Sequence, residues 1–160
     1  RVLVVHSEQV RNKALEAVMR HPELPIDAEF VGEACLLHDI GIFLCHAPGI
    51  YCFGKHEYIE HGYLGSDLLK EEGLPKHALV AERHTGTGFT KEEIVQKKLP
   101  LPHRDMLPVS LEEQLICYAD KFYSKSKLNI QLTVEEIRQN LSSYGKEKVE
   151  KFDSWHKLFG

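Results

Sequence analysis

The nine residues "CLLHDIGIF", positions 35–43, constrain the fold more than any other stretch, because they set His38 and Asp39 side by side inside an otherwise apolar run. Val31, Ala34, Cys35 and His38 follow one another at i, i+3, i+4 and i+7, the spacing of one face of an α-helix. His38 therefore lies on a stripe that faces a core, and Asp39, turned by about 100° from it, borders the same stripe. Burying an ionised carboxylate without a partner costs far more than one helix can offset. The fold must place something opposite these two residues.

The rest of the chain is written largely in the same period, and strand-like alternation is almost absent, so the expected fold class is all-α: a single-domain helical bundle. A first helix is expected over about 7–19, stopped by the two prolines of "HPELP". A second, capped by Asp27, runs to Gly41, and "APGIYCFGKHEY" reads as a loop. Helices over about 58–71 and from Pro75 to 82–84 follow, the latter ending at the glycine-rich "TGTG". Three capping boxes, at Thr90, Ser110 and Thr133, each put a Glu three residues after a hydroxyl. They start a short helix, a long one reaching about Lys127, and a third that precedes a final helix near Lys146. One domain is expected over 1–160, with a site-bearing core over about 1–128 and C-terminal helices over about 129–160.

Composition narrows the function. At 160 residues, 42% hydrophobic and 28% charged, the chain can bury one proper core. No apolar run is long enough to cross a bilayer, and the opening "RVLVVHSEQV" is too short and too soon charged to be a signal peptide. The first residue is Arg1 and not Met, which leaves room for a preceding segment. A net charge of −4 without a basic block argues against a nucleic acid polymer as partner, and leaves a small anionic ligand held by a local basic pocket. Cys35, Cys45, Cys52 and Cys117 form no C-x-x-C pair and sit among apolar neighbours, as reduced thiols of a cytoplasmic protein do. Neither a disulfide framework nor a zinc knuckle is expected.

The ten histidines are the unusual item. His61, Leu64, Gly65 and Leu68 repeat the i, i+3, i+4, i+7 pattern, and His77, Val80, Ala81 and His84 repeat it again. Asp120 shares a stripe with Ile116, Ala119 and Tyr123, and His6 stands one turn before Val10. So His6, His38, Asp39, His61, His84 and Asp120 are expected to point inward from five helices, with no evident inward Lys or Arg to balance them. Singly, each has a plain explanation: a core histidine bonded to a carbonyl, a cap, half of an ion pair. Jointly they amount to six coincidences. Neutral nitrogen donors together with anionic oxygen donors are what a metal site requires, and a cation removes the burial cost of the carboxylates. A set of N and O donors without thiolate suits Fe, Mn, Co, Ni or Zn.

The order His6, His38-Asp39, His61, His84, Asp120, with "HDIG" at 38–41, resembles the HD-domain superfamily of metal-dependent phosphohydrolases, over nearly the whole chain. That resemblance implies the HD-type helical bundle. It implies a first metal on His6, His38, Asp39 and Asp120 and a second on His61 and His84, with Asp39 bridging the two. Its implied activity is cleavage of a phosphate ester or anhydride of a nucleotide or small phosphorylated metabolite by a water shared between two divalent ions, for which Asp39 is the orienting catalytic ligand. Iron or manganese is favoured by the resemblance more than by ligand chemistry.

The chain departs from parts of the superfamily. "RHTGTGFT" lacks the D-G-x-G-Y-P element of the cyclic-dinucleotide phosphodiesterases: Thr85 replaces the acidic residue, Thr90 the proline, and Val80-Ala81 stands where paired histidines would precede it. Ile42 stands where many HDIG proteins carry a basic residue, so phosphate contacts are sought at Lys121, Arg104 and Arg83, each of which can equally be a solvated charge. The layout is closest to small single-domain HD proteins, and a homodimer is left open. Two other functions share the ligand set. One is a mixed-valent di-iron oxygenase of the same fold; the other is a non-catalytic module in which metals only hold the helices together.

Overall fold

Helix α1 (Val2–Arg20) buries His6, Ser7, Val10, Ala14 and Ala17 on one face, and so begins five residues earlier than its periodicity suggests. The computed structural model describes residues 1–160. Helix α2 (Ala28–Leu37) is capped by the Asp27 carboxylate, which accepts from the Phe30 amide. It stops at Leu37, not Gly41, and the chain tightens into a 3₁₀ turn over Ile40–Leu44. The reason lies at Gly41. A Cβ there would stand 2.3 Å from the His61 carbonyl oxygen and 2.5 Å from the Gly65 nitrogen, so the two backbones meet in van der Waals contact. This close approach locks the His38-Asp39 step against the next helix.

The loop expected over 47–58 is folded on itself by a two-residue antiparallel ladder, β1 (His46–Ala47) with β2 (Cys52–Phe53). A 3₁₀ turn over Tyr58–Glu60 is closed by a reciprocal box between Glu57 and Glu60, and leads into α3 (His61–Glu71). Helix α4 (Pro75–Arg83) begins with proline in its first turn and ends with His84 as its C-cap. Helix α5 (Lys91–Gln96) is capped by Thr90, but Glu93 does not close the box, because Lys148 holds its carboxylate at 2.8 and 2.9 Å. Ser110 and Glu113 do close theirs, at the start of α6 (Leu111–Asp120).

Helix α6 ends seven residues before the expected Lys127. In place of its last two turns stands a hairpin, β3 (Tyr123–Ser124) with β4 (Lys127–Gln131). Leu132 donates its amide to the Phe122 carbonyl at 2.8 Å, and the Gln9 amide donates to the Leu128 carbonyl, tying the hairpin to α6 and α1. Helices α7 (Val134–Ser142) and α8 (Lys146–Phe159) complete the chain. Their Ile137, Leu141, Phe152, Trp155 and Phe159 pack into one core with Val10, Val31, Leu115 and Tyr118 of α1, α2 and α6. Tyr118 stacks on Phe152 with ring centroids 5.4 Å apart. No helix is long and apolar enough to cross a membrane. All four cysteines are free and buried.

Candidate metal centre

Helix ends, more than helix interiors, carry the polar residues of the core. His38 caps α2, His61 opens α3, His84 caps α4, and Asp120 closes α6; His6 alone sits mid-helix. Helix termini have free carbonyls and amides, and three of the histidines use them. His38 Nδ1 lies 2.6 Å from the Cys35 carbonyl oxygen, His61 Nδ1 2.6 Å from that of Tyr58, and His84 Nδ1 2.8 Å from that of Ala81. A carbonyl only accepts, so each Nδ1 carries the proton and each ring is fixed with Nε2 facing inward.

Those Nε2 atoms converge on Asp39, which is 2% exposed. Oδ2 of Asp39 lies 3.1 Å from His38 Nε2 and 3.3 Å from His6 Nε2; Oδ1 lies 3.1 Å from His84 Nε2 and 3.4 Å from His61 Nε2. Asp120 Oδ1 stands 2.8 Å from His6 Nε2 and 3.2 Å from His38 Nε2. The donors fall into two groups, His6, His38, Asp39 and Asp120 on one side and Asp39, His61 and His84 on the other, and within each group the donor atoms lie within 4.8 Å of one another. Asp39 belongs to both.

Protons do not satisfy the His84 side of this arrangement. Burial pushes the His84 pKa down to about 4 in spite of the neighbouring Asp39, so near neutrality its Nε2 is a bare lone pair. It faces a carboxylate oxygen at 3.1 Å and the His61 Nε2 at 3.0 Å, electron-rich atoms in contact. Both Asp39 oxygens are buried without an aligned hydrogen bond, although Oδ2 has the Lys125 ammonium 3.0 Å away. A buried acceptor left without a donor costs about 1–3 kcal/mol, and that cost falls on the Oδ1 side, between His61 and His84. Such a cluster could hold a metal cation, because imidazole nitrogens and carboxylate oxygens are ligand types that divalent metals accept. On the His38 side the fit is competitive. Burial lowers that pKa, but Asp39 and Asp120 outweigh it and lift the group to about 10, so a cation taking His38 Nε2 displaces a proton.

One expectation fails. The carboxylates do have inward lysines: Lys125 Nζ lies 3.0 Å from Asp39 Oδ2, and Lys121 Nζ lies 3.0 Å from both Asp120 Oδ2 and the His84 carbonyl oxygen. Burial acts against both ammonium groups, yet Asp39 and Asp120 outweigh it at Lys125 and Asp120 foremost at Lys121, raising both pKa values above the ordinary lysine range. With Lys125 and His38 opposite it, the Asp39 carboxyl stays well below the usual range despite its burial. Lys125 was hidden in the sequence because residues 121–127 read as helix; the hairpin turns it inward. Both lysines line an open cavity of about 460 Å³ with Asp120, Tyr58, Ser124 and Ser126.

Arg104 and Arg83, the other phosphate candidates, are not brought to this cavity. The Arg104 guanidinium is paired with Glu82 of α4, and Arg83 Nη1 donates to Glu113 Oε1 of α6 at 2.7 Å, so each arginine is held by a carboxylate of a neighbouring helix.

A model of the HD domain family matches residues 3–125. This chain belongs to the HD domain family. Among relatives, the HD domain is 34% identical over 143 residues to an uncharacterized protein of Methanocaldococcus jannaschii, covering 87% of this chain and 77% of that one. It is 33% identical over 106 residues to a tRNA (cytidine(56)-2'-O)-methyltransferase of Picrophilus torridus, covering 66% of this chain and 27% of the enzyme. The methyltransferase of the same name from Thermoplasma volcanium matches at 28% over 151 residues, covering 93% of this chain and 40% of that one. Of solved structures, the HD domain of the L. monocytogenes phosphodiesterase PgpH aligns at a TM-score of 0.58 and 16% identity, over 96% of this chain and 89% of that one. That likeness speaks to the fold, which is the all-α HD fold.

Proposed function

We propose that this HD domain is a metal-dependent phosphohydrolase that cleaves a phosphate ester or anhydride of a small metabolite, a nucleotide foremost. The carrying observation is the sharing of Asp39 between two donor groups whose nitrogens are fixed by backbone carbonyls. In this reading His6, His38, Asp39 and Asp120 hold one divalent ion, and Asp39, His61 and His84 hold a second. Iron and manganese are the favoured ions, with cobalt, nickel and zinc compatible with the same donors. When bound, the pair supplies Lewis-acid polarisation of a phosphoryl oxygen and an activated water for in-line attack.

The chain's own residues do the rest. Asp39 orients both halves of the centre. Lys121 and Lys125 are compact cations facing the cavity beside Asp120 and Asp39, placed to draw in a phosphate and steady its charge. The hydroxyls of Ser124 and Ser126, 2.7 Å apart on the hairpin turn, add neutral donors on the same wall. Tyr58, which also lines that wall, has its ring 4.7 Å from that of His61 and narrows the approach. This chain spans 27% and 40% of the two methyltransferases it matches, and the activity proposed is that of the HD domain alone.

The test is metal analysis of unchelated protein together with turnover of an aryl phosphate and a nucleotide panel with added Mn or Co. Two ions per chain and hydrolysis that falls to background in Asp39→Ala are expected. One ion per chain removes the two-metal mechanism, and substrate-dependent dioxygen uptake without phosphate release overturns the hydrolase in favour of another chemistry on the same ligands.

A further inference from the structure

A second cavity, of about 420 Å³, lies within the range of small-molecule sites, roughly 300–1,000 Å³. It shares one residue with the lysine-lined cavity: Tyr58 lines both. Its wall is the more apolar of the two, although Glu93, Lys97 and Lys148 also line it. Where the first cavity offers Lys121, Lys125 and serine hydroxyls, the second is walled by Phe89, Tyr144, Ile59, Leu99 and Leu141, and the hydroxyl-bearing Thr85 and Thr87 border it.

Local structure makes this chamber and ties it to the centre. Thr85 directly follows His84, and the loop from there to Phe89 turns through left-handed glycines, with φ of +59° at Gly86 and +92° at Gly88. A Cβ on Gly88 would meet the Met106 carbonyl oxygen at 2.6 Å, so the loop is pressed flat against its neighbour and one edge of the chamber is rigid. The buried Lys148 ammonium closes the base of the wall, bonded to the Gly88 carbonyl at 3.0 Å and to Glu93 at 2.8 and 2.9 Å. With those partners Lys148 is neutralised, and the one other lysine of the lining, Lys97, is exposed to solvent at the rim, so the buried part of the chamber carries no unpaired cation. On the other edge Tyr144 is 66% exposed, a large aromatic ring left at the mouth of an apolar hollow.

Resting on the hydrolase reading above, we infer that the second cavity seats the flat aromatic part of the substrate, a nucleobase, while the phosphate lies on the lysine side of Tyr58. A purely sugar or alkyl phosphate would leave this apolar chamber unfilled. Aromatic side chains stack on a base through its π-face whatever its hydrogen-bonding edge, and threonine hydroxyls can meet that edge.

The experiment measures affinity apart from turnover. Phosphonate analogues, in which a methylene replaces the ester oxygen, are not hydrolysed and are titrated calorimetrically into the metal-loaded protein. The analogues of a nucleoside 5′-monophosphate panel are expected to bind about tenfold or more tighter than the analogue of ribose 5-phosphate. Tyr144→Ala, at an exposed position that does not threaten folding, should remove most of that preference and leave the ribose analogue unaffected; Tyr144→Phe should keep it. Equal affinities across the panel and the ribose analogue overturn the inference, as does a Tyr144→Ala effect of the same size on both. A nucleoside preference in a protein that never releases phosphate leaves the base seat standing and removes the hydrolase. Phosphate release without any nucleoside preference does the reverse.

Discussion

The helical frame and the β3–β4 hairpin meet at Asp39 and are built by different rules. The frame buries 18 residues in one cluster, from Val10 of α1 to Phe159 of α8, and five of the six candidate ligands project from elements packed on it or on each other with no more than 3% exposure. The hairpin has no core of its own: of Lys127–Gln131 only Leu128 is half-buried, and Ile130 is 51% exposed. Yet it delivers Lys125 to Asp39. Ligand atoms tolerate little displacement and so belong on a frame that cannot deform without losing packing. A cation that meets a substrate's charge from a flexible four-carbon stem needs less accuracy, and a short ladder suffices.

The difference can be broken in two ways. Removing the Phe152 side chain, fully buried and stacked on Tyr118, should cost about 3–5 kcal/mol in denaturant unfolding. Metal affinity and activity should survive below the shifted midpoint, because Phe152 touches the frame and not the ligands. If ligand geometry collapsed first, the frame and the centre would be one cooperative object and the contrast would fail. Lys125→Ala should act the other way round. In metal-loaded protein its unfolding midpoint should barely move, whereas inhibition by inorganic phosphate should weaken about tenfold to a hundredfold, the size of one lost charge-assisted hydrogen bond. A large loss of stability with unchanged phosphate inhibition would make Lys125 a structural counter-ion of Asp39.

The same contrast explains what could be read from the sequence. His6, His38, Asp39, His61, His84 and Asp120 were legible because helical periodicity carries phase from one turn to the next, and an inward polar residue stands out against an apolar stripe. Even where a boundary was misplaced, as at Gly41 or Val2, the phase survived and the residue still pointed inward. Lys125 was illegible for the complementary reason. "KFYSKSKLNIQL" holds too few alternating residues to announce strands, and extending the α6 phase through it gave a plausible but false helix. Hairpin geometry, fixed by a turn and by the bonds from Leu132 to Phe122 and Gln9 to Leu128, depends on contacts far apart in sequence. The arginines differ again: Arg83 closes α4 and Arg104 lies in a loop, and only the fold reveals that Glu113 and Glu82 reach them.

Arg104 supplies the smallest and sharpest test of that last point. Its side chain is 46% exposed, so its pair with Glu82 is screened by water and worth about 0–1 kcal/mol. It lies in the proline-rich segment between α5 and α6, away from the cavity that Lys121 and Lys125 line. Arg104→Ala should therefore change the unfolding midpoint only marginally and leave KM and phosphate inhibition at their original values. Should KM rise while stability holds, Arg104 must leave Glu82 when substrate arrives, and the cation supply of the site would extend beyond the hairpin. Glu82→Gln then becomes the discriminating partner: freeing the guanidinium should lower KM if Arg104 is recruited, and do nothing if the two lysines act alone.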